Sequence, residues 1–355
     1  MKKVILLPES EASRWDGFVE KHAFGWLTSF SSWSVLLTRL HKDIKTYRLA
    51  VIGEKGEILA GLPLYLVRSL PGGKKLIGAP LGTFFDPLVT TKEELCLLLN
   101  AAAKLKDRTG SSLVKIKAFK SKEMFSGTDF GQDRLFLTHL LPLTKSLPAL
   151  WESFPKKGIR QNVKKAECYH PEFSEASNLA AYGSFYRLYT LTRRRLGLPA
   201  LPFSFFKAVH DIYVPENKAH LFLLSFKQKP IAGLLVFSYK GRWSAEALGW
   251  DINYKFLSPS VVIYWEAIKT AIGAGASVFD FGRTSAENKG LLTFKRHWGT
   301  EERQLPIFTF SSARSENFSL PLRARLEGIA HNIFSLAPSP AYLTLSKIFY
   351  RIFIE

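Results

Sequence analysis

The sequence predicts a mixed α/β fold built from two copies of one domain, and three observations support this prediction. The order strand, hairpin, strand, helix, strand occurs in residues 45–118 and again in residues 220–282. The tripeptide Ala-Gly-Leu at 60–62 recurs at 232–234, at the start of the second strand of each copy. The 355-residue chain is long enough for two cores, since single cores stop growing at about 250–300 residues.

This repeat predicts how the chain is divided. Residues 1–145 form a first domain, residues 146–310 a second domain that carries the main site, and residues 311–355 a C-terminal helical tail. The last part of the tail, residues 343–354, is very apolar for a free end. The tail therefore either packs against the domains or makes peripheral contact with a membrane.

Helix signals are clear in both copies. Residues 9–42 have helical character, and a later helix is predicted from Lys92 to about Arg108, with Thr91 as its N-cap and Gly110 as its end. In the second copy, Ser258 is the predicted cap and the following proline suits the first helical turn. An inward-facing stripe follows in that helix, made of Val261, Val262, Trp265, Ile268 and Ile272.

Composition restricts the partners and the compartment. The chain has 49 Lys and Arg against 30 Asp and Glu, and its net charge of +19 favours nucleic acid, phosphorylated precursors or an anionic membrane surface. Cys96 and Cys168 lie far apart, so no disulfide framework is predicted and a reducing, cytoplasmic setting fits. No apolar run approaches the ~20 residues that span a bilayer, and the N-terminus is too short and acidic for a signal peptide. The sequence predicts a soluble or peripheral protein.

Several catalytic classes have no motif in this sequence. There is no G-x-S-x-G elbow, no H-E-x-x-H pair, no P-loop and no spaced set of Cys and His, and the eight histidines are scattered. We therefore predict no metal site.

The stretch from Ser277 to Gly299 combines a strand end with charged and aromatic residues. A short apolar strand contains Asp280 and turns into a polar loop, and a cationic segment follows. Arg283, Lys295 and Trp298 together suit a flat, anionic ligand. Alternatively, Asp280 and Arg283 pair with each other across the turn, and the aromatic residues belong to the core.

Cationic residues also occur between the two copies. A predicted amphipathic helix places Lys156, Lys157, Arg160 and Lys164 on one side and apolar residues on the other. Arg195 lies at the end of a second cationic helix. These residues either bind phosphate groups or form solvated helix faces.

Three sequence blocks carry a family resemblance. They are Trp151 with Lys157, Arg160, Asn162, Lys165 and Ala166; Phe185 with Tyr186, Leu188, Thr192 and Arg195; and Trp265–Ile268 with Phe279–Arg283, Phe294–Lys295 and Trp298–Gly299. In this order and spacing they resemble the Fem-type peptidoglycan bridge-forming aminoacyltransferases, a tandem-GNAT group, over most of residues 45–310. The long helical arm of many such enzymes has no room here. The chain is most similar to the compact branch, which includes members that accompany exopolysaccharide systems.

The resemblance implies two tandem GNAT-like α/β domains and an acyltransferase. Its substrate would be an amine of a peptidoglycan, cell-envelope or exopolysaccharide precursor, phosphorylated or lipid-linked, used in the cytoplasm or peripherally at the inner face of the membrane. Acyl transfer needs a neutral nitrogen, a donor carbonyl within attack distance and N–H donors for the oxyanion. A splayed strand pair in a GNAT fold can supply such a donor.

Two carboxylates are candidate general bases for this reaction. Asp280 lies at a strand end, and Glu246 interrupts an otherwise apolar strand, unless it faces solvent at alternate spacing. The predicted substrate-binding residues, all cationic or aromatic, are Arg160, Lys164, Arg195, Arg283, Lys295 and Trp298.

The donor is either an aminoacyl-tRNA or an acyl-CoA, and no tightly bound cofactor is implied. CoA-using members cradle the pyrophosphate in a turn of the form Q/R-x-x-G-x-G/A. Residues 283–290 have no glycine at the third or fifth place after Arg283, where this turn requires one, and they contain Glu287, whose carboxylate would repel phosphate. These two features favour the aminoacyl-tRNA. Two alternatives stay open, a CoA-dependent N-acetyltransferase and a non-catalytic polyanion-binding module. The carboxylates beside the cations favour an enzyme.

Overall fold

The computed structural model describes residues 2–69, 73–311 and 333–352. Contacts divide the described chain into two compact units. Of the described residues, unit 1 contains those up to 136, 304–311 and 348–352, and unit 2 contains 137–303 and 333–347. Much of the predicted tail lies outside the described residues.

Unit 1 is an α/β unit in which five strands lie in the order β1-β2-β3-β4-β5, followed by β12. Its elements are β1 (Lys3–Leu7), α1 (Ala12–Lys21), α2 (Ser31–Leu40), β2 (Lys45–Ile52), β3 (Ile58–Ser69), β4 (Gly73–Ile77), α3 (Lys92–Thr109), β5 (Leu113–Lys117), the first part of β6 (Gly131–Pro142) and most of β12 (Glu301–Ser311). Pairing is antiparallel from β1 to β4 and parallel between β4 and β5.

Unit 2 repeats this plan, with strands in the order β7-β8-β9-β10-β11 and the second part of β6 beside β11. Its elements are α4 (Leu147–Ser153), α5 (Gln161–Glu167), β7 (Glu172–Ala176), α6 (Leu179–Arg195), α7 (Phe203–Tyr213), β8 (Ala219–Phe226), β9 (Lys229–Tyr239), β10 (Arg242–Trp250), α8 (Pro259–Gly273), β11 (Val278–Ser285) and α9 (Lys289–Arg296). The C-terminal helix α10 spans Ser339–Ile352. Pairing is again antiparallel up to β10 and parallel between β10 and β11.

The predicted two-copy α/β fold is confirmed, and the repeated tripeptide has a packing reason. A Cβ atom added to Gly61 would lie 2.6 Å from the Trp15 ring, and one added to Gly233 would lie 2.7 Å from the Phe185 ring. In each unit a helix therefore lays an aromatic ring directly on a strand glycine. This close approach excludes any larger residue at that position.

The helix predictions are confirmed for α3 and partly for α8. Thr91 and Glu94 form a capping box, and Gly110 ends α3 in the left-handed region at φ 62°. Four residues of the predicted stripe are buried and Ile272 is half-buried. The side-chain cap predicted for Ser258 is wrong, because Ser258 adopts φ 47° and its hydroxyl makes no capping hydrogen bond.

Strand β12 is placed differently from the sequence-based division. Residues 304–311 belong to unit 1, where β12 runs antiparallel to β5 and Phe308 stacks on Phe125 with centroids 4.1 Å apart. The sequence assigned this strand to the second domain, because a strand that returns over such a distance leaves no local signal. Among the described residues, no helix is long and apolar enough to cross a membrane.

Candidate functional site

The parallel pair β10 and β11 in unit 2 is short, and both strands continue beyond it. Three residue pairs form the ladder, ending at Ser244 with Asp280, whereas β10 runs on to Trp250 and β11 to Ser285. The register of β10 with β9 also shifts between Ala245 and Ala247. Such a bulge bends a strand and re-aims its residue, and Glu246 lies here, just beyond the last pair of the β10–β11 ladder.

Glu246 is the bulge residue and a half-buried carboxylate. The hydroxyl of Ser244 donates a hydrogen bond to Glu246 Oε1 at 2.9 Å. Because Ser244 itself is fully buried, this contact fixes the carboxylate beside the end of the ladder. Of the two predicted bases, Glu246 is the one that is partly exposed.

Asp280 is fully buried and serves as the centre of a hydrogen-bonded cluster. Its Oδ1 accepts from Thr138 Oγ1 at 2.6 Å and from the Gly282 N–H at 2.9 Å, and its Oδ2 forms an ion pair with Arg242. The suggested pairing of Asp280 with Arg283 is therefore wrong, since the cation comes from the neighbouring strand. A carboxylate held in this way orients β10 against β11 and is poorly placed to accept a substrate proton.

Lys295 is only 3% exposed, contrary to the expectation of a cation presented to ligand. Its Nζ donates to the carbonyl oxygen of Gly282 at 2.6 Å and so ties α9 to the middle of β11, two residues after Asp280. Burial lowers the pKa of Lys295 to about 8, and the charge of Asp280 opposes that shift. The ammonium group braces the corner that follows Asp280.

Trp298 is a core residue, not a ligand contact, because none of its surface is exposed. Its ring lies 5.4 Å from Phe154 and 5.5 Å from Phe281, between centroids. The alternative interpretation of the aromatic residues as core is correct at this position. Arg283, by contrast, is half-buried at the end of β11.

His139 belongs to the same region, and sequence reasoning missed it. It is fully buried on β6, and its Nε2 lies 3.4 Å from Glu302 Oε2. Burial lowers the pKa of His139, and the nearby Lys295 charge lowers it further, so the imidazole is neutral near pH 7. The available signal was the polar pair Thr138 and His139 inside the apolar second half of β6.

Helix α6 secures the far end of β10. Thr192 Oγ1 donates to the Trp250 carbonyl at 3.0 Å and accepts from its N–H at 2.8 Å. The exposed Arg195 guanidinium lies 4.3 Å from the centre of the Trp250 ring, and partial burial lowers its pKa against the effect of Asp251. Two residues of the predicted second block therefore fix the strand that carries Glu246.

The predicted cationic helix is not one helix. Lys157 and Gly158 have non-helical dihedral angles, with φ 99° at Gly158, and α5 begins only at Gln161. Arg160 is buried and forms an ion pair with Glu152, whereas Lys164 is exposed on α5. The expected single cationic stripe is therefore wrong, because the glycine breaks the helical period.

Two further observations concern metal binding and the shape of the surface of unit 2. Within the described ranges, no group of three His, Cys, Asp or Glu side chains is arranged to hold a metal ion. A concavity of about 430 Å³ lies between α5, β7 and α8, and residues such as Val163, Phe173 and Glu266 line it. None of the predicted site residues lines this concavity.

Part of the chain matches a known domain family. Residues 155–296 match the family model described as the acetyltransferase (GNAT) domain. This segment includes α5 to α9 and so contains Glu246, Asp280 and Lys295. A comparison with curated protein sequences gave no significant match.

Solved structures share the fold over nearly the whole chain. A structure described as FemX has a TM-score of 0.68 at 17% identity, over 92% of this chain and 100% of its own. A tandem GNAT protein from the clavulanic acid biosynthesis pathway has a TM-score of 0.56 at 9% identity, over 88% and 98%. The C-terminal domain of a putative lysylphosphatidylglycerol synthetase from Agrobacterium fabrum has a TM-score of 0.59 at 12% identity, over 89% and 96%. The predicted likeness to Fem-type, tandem GNAT proteins is thus confirmed at the level of the fold.

Proposed function

We propose that the protein is an acyltransferase acting beside Glu246, where the β10–β11 ladder ends. The proposal is supported by the tandem GNAT fold and by the match of residues 155–296 to the acetyltransferase (GNAT) domain family. The observation that carries this proposal is the bulge that sets the Glu246 carboxylate beside the end of the parallel ladder. A polyanion-binding module would gain nothing from a carboxylate at this position.

The proposed reaction joins an acceptor amine to the donor's acyl group. The neutral nitrogen attacks the acyl carbon, the C–N bond forms, and Glu246 takes the proton that leaves the nitrogen. The oxyanion that forms on the acyl group would be stabilised by backbone N–H groups at the bulged edge of β10. Collapse of the intermediate expels the donor's leaving oxygen or sulfur, which takes up a proton.

The buried polar residues act as positioning residues in this proposal. The Asp280 and Arg242 pair sets the distance between β10 and β11, and Lys295 holds the chain at Gly282. Arg195, Arg283 and Lys164 remain the proposed contacts for a phosphorylated substrate. Arg160 has a weaker claim, since Glu152 already pairs with it.

We favour an aminoacyl-tRNA over acyl-CoA as the donor. The N-terminus of α9 is occupied, because Asn288 Oδ1 accepts from the Leu291 N–H at 3.1 Å. The segment between β10 and α8, residues 251–258, contains no glycine, and Pro259 removes one N–H donor from the helix start. Neither helix start offers the glycine-rich pyrophosphate cradle. The CoA-dependent alternative is supported by the name of the matched domain family.

For the acceptor, we propose a phosphorylated or lipid-linked precursor of the cell envelope. One of the similar structures is named for the synthesis of lysylphosphatidylglycerol, a modified lipid. Together with the net charge of +19, this supports an anionic substrate at a membrane surface, reached by peripheral contact from the cytoplasm.

The substitution Glu246→Gln tests the site. We expect turnover to fall by ~10²–10⁴-fold, the usual contribution of a general base, while donor binding stays unchanged. Glu287→Gln, in the exposed loop before α9, is the matched control and should retain turnover. Full activity of the Glu246→Gln protein would remove Glu246 from the mechanism.

The donor is tested by offering the purified protein radiolabelled acyl-CoAs and charged tRNAs in parallel. We expect label transfer from the tRNA and slower hydrogen exchange in residues 280–299 when it binds. Transfer and protection with acyl-CoA alone would overturn the donor assignment and leave the acyltransferase proposal standing.

A further inference from the structure

Four aromatic side chains form a cluster where the β8–β9 turn meets the segment before α8. This aromatic patch consists of Tyr169, Phe226, Tyr254 and Phe256, with ring centroids 5.4 Å apart for Tyr169 and Phe256 and 6.2–6.4 Å apart for the other contacts. Tyr169 is 45% exposed, Phe256 42%, and Ile252, two residues before Tyr254, 45%. Apolar side chains exposed side by side, unlike single ones, indicate an interaction surface.

Lysines accompany the patch. Lys227 Nζ lies 5.4 Å from the centre of the Phe226 ring, and Lys229 Nζ lies 5.3 Å from the centre of the Tyr254 ring. Lys255 is exposed between two members of the patch. Glu172, opposite Ser225 on the adjoining strand, forms an acidic border on one side. The surface is therefore apolar at its centre and cationic around the turn.

The patch is held in place by regular backbone structure. Phe226 pairs with Lys229 across a two-residue turn whose central residues, Lys227 and Gln228, have φ values of 50° and 61°. Two such positive values define a type I′ hairpin, which matches the twist of its strands. On the other side, Asp251 Oδ1 accepts from the Asn253 N–H at 3.1 Å. The surface is preformed.

The ring geometry favours one anionic partner over another. Three of the four contacts are edge to face, with interplanar angles of 70–83°. In each such contact the edge of one ring covers a face of the other, whereas single-stranded nucleic acid needs open faces on which bases stack. The aliphatic Ile252 offers nothing to a base but fits the boundary between lipid headgroups and acyl chains.

We propose that the aromatic patch, with Ile252 and the three lysines, docks this protein on an anionic lipid bilayer. Lysine ammonium groups would contact the negatively charged headgroups while the apolar side chains enter the interface. This inference rests on the proposed function for its setting at a membrane surface. Lipid binding and acyl transfer can nevertheless be measured separately.

The test is co-sedimentation of the full-length protein with phosphatidylcholine vesicles that contain or lack phosphatidylglycerol. We expect binding to the anionic vesicles that weakens as salt rises. Replacing Lys227, Lys229 and Lys255 by Gln should weaken binding about fivefold per lysine. Ile252→Ser with Phe256→Ser should weaken it by at least about tenfold at constant charge.

Two control variants remove a lysine and an exposed apolar side chain that lie outside the aromatic patch. Lys240→Gln removes a lysine that lies beside the Tyr239 ring at another hairpin turn, and Leu191→Ser removes an apolar side chain 40% exposed on α6. Both should bind vesicles like the wild type. If the patch variants also bind like the wild type, the proposal is wrong.

Other outcomes separate the alternatives. Patch variants that lose only single-stranded RNA binding would assign the surface to nucleic acid, and variants that change only the oligomeric state would assign it to a second copy. The Glu246→Gln protein should bind vesicles normally. Vesicle binding that depends on the patch in a protein without acyl transfer would sustain this inference and refute the proposed function alone.

Discussion

The two units share one plan and differ beyond the ends of their parallel ladders. In unit 1, the β4–β5 ladder ends at the pair Ile77 and Lys115, and β4 ends with it. In unit 2, β10 continues to Trp250 after its ladder with β11 has ended. In unit 1, β4 thus ends with its ladder. In unit 2, β10 extends beyond its ladder as a bulged strand that carries the Glu246 carboxylate.

Each unit also buries one aspartate near this point, with different partners. Asp86 accepts hydrogen bonds from the backbone N–H groups of Phe119, Lys120 and Ser121, at 2.9–3.1 Å, and from the Ser121 hydroxyl at 2.7 Å. Asp280 accepts from one main-chain donor, the Gly282 N–H, and pairs with the side chain of Arg242. Unit 1 therefore fixes residues 119–121 mainly through main-chain donors, whereas unit 2 adds a charged side chain that can be exchanged.

The largest loss of stability is expected from replacing either of the two buried aspartates. Asp280→Leu leaves the Arg242 charge buried without its carboxylate and should lower the free energy of unfolding by about 3–5 kcal/mol. Asp86→Leu leaves three main-chain donors unpaired, at about 1–3 kcal/mol each, and should cost at least as much. Urea unfolding measures both.

In unit 2, adding a second substitution to Asp280→Leu should restore part of the lost stability, whereas no such second substitution is expected in unit 1. Arg242→Met combined with Asp280→Leu removes both charges and should recover part of the loss. The three main-chain N–H groups around Asp86 belong to consecutive residues, and only proline lacks such a group, so no second side-chain substitution like Arg242→Met is available in unit 1. A double variant as unstable as Asp280→Leu alone would contradict the difference drawn between the units.

A smaller loss of stability, equal in the two units, is expected where an aromatic ring packs on a strand glycine in both. Gly61→Ala and Gly233→Ala each push a methyl group to within 2.6–2.7 Å of an aromatic ring, and each should cost about 1–3 kcal/mol. Gly183→Ala is the matched control, since a Cβ there meets nothing within 4 Å and alanine suits a helix interior. Unequal losses at the first two positions would show that the repeat does not extend to packing.

The smallest effect concerns the pH dependence of unit 2. The pKa of Lys295 is about 8 when folded, against an ordinary value of 10.5, so the unfolded chain binds more protons between these values. Its contribution to stability is therefore least favourable below pH 8 and rises with pH across that window.

Relative to Lys295→Met, the wild type should gain about 1 kcal/mol of unfolding free energy from pH 8 to pH 9. Measurement should stop there, because burial raises the pKa of Tyr264 and other tyrosines, which titrate at higher pH. Parallel stability curves for the two proteins would show that the Lys295 ammonium is not destabilised by burial.

Local patterns were readable from the sequence because their causes are local. The Thr91 cap, the Gly110 stop and the apolar stripe of α8 depend on residues within a few positions of one another. The repeated strand order was readable for the same reason. Each copy carries its own turns and its own periodicity.

The site was readable only in part, because burial depends on distant partners. Asp280 draws on Thr138 and Arg242, which are remote in sequence, and so its role as a buried anchor could not be predicted. Lys295 and Trp298 looked like ligand contacts because charge and aromaticity do not reveal which way a side chain points. Glu246 was noticeable in the sequence as an acid in an apolar strand, but its bulge was not visible.

The two cysteines differ in exposure, and the difference gives the protein its own labelling position. Cys168 is exposed at the C-terminal end of α5, whereas Cys96 is half-buried on α3. Thiol reagents react with accessible sulfur, so Cys168 should be modified first. Because Cys168 directly precedes Tyr169 of the aromatic patch, an environment-sensitive fluorophore on this sulfur would be a direct optical reporter of whatever that surface touches.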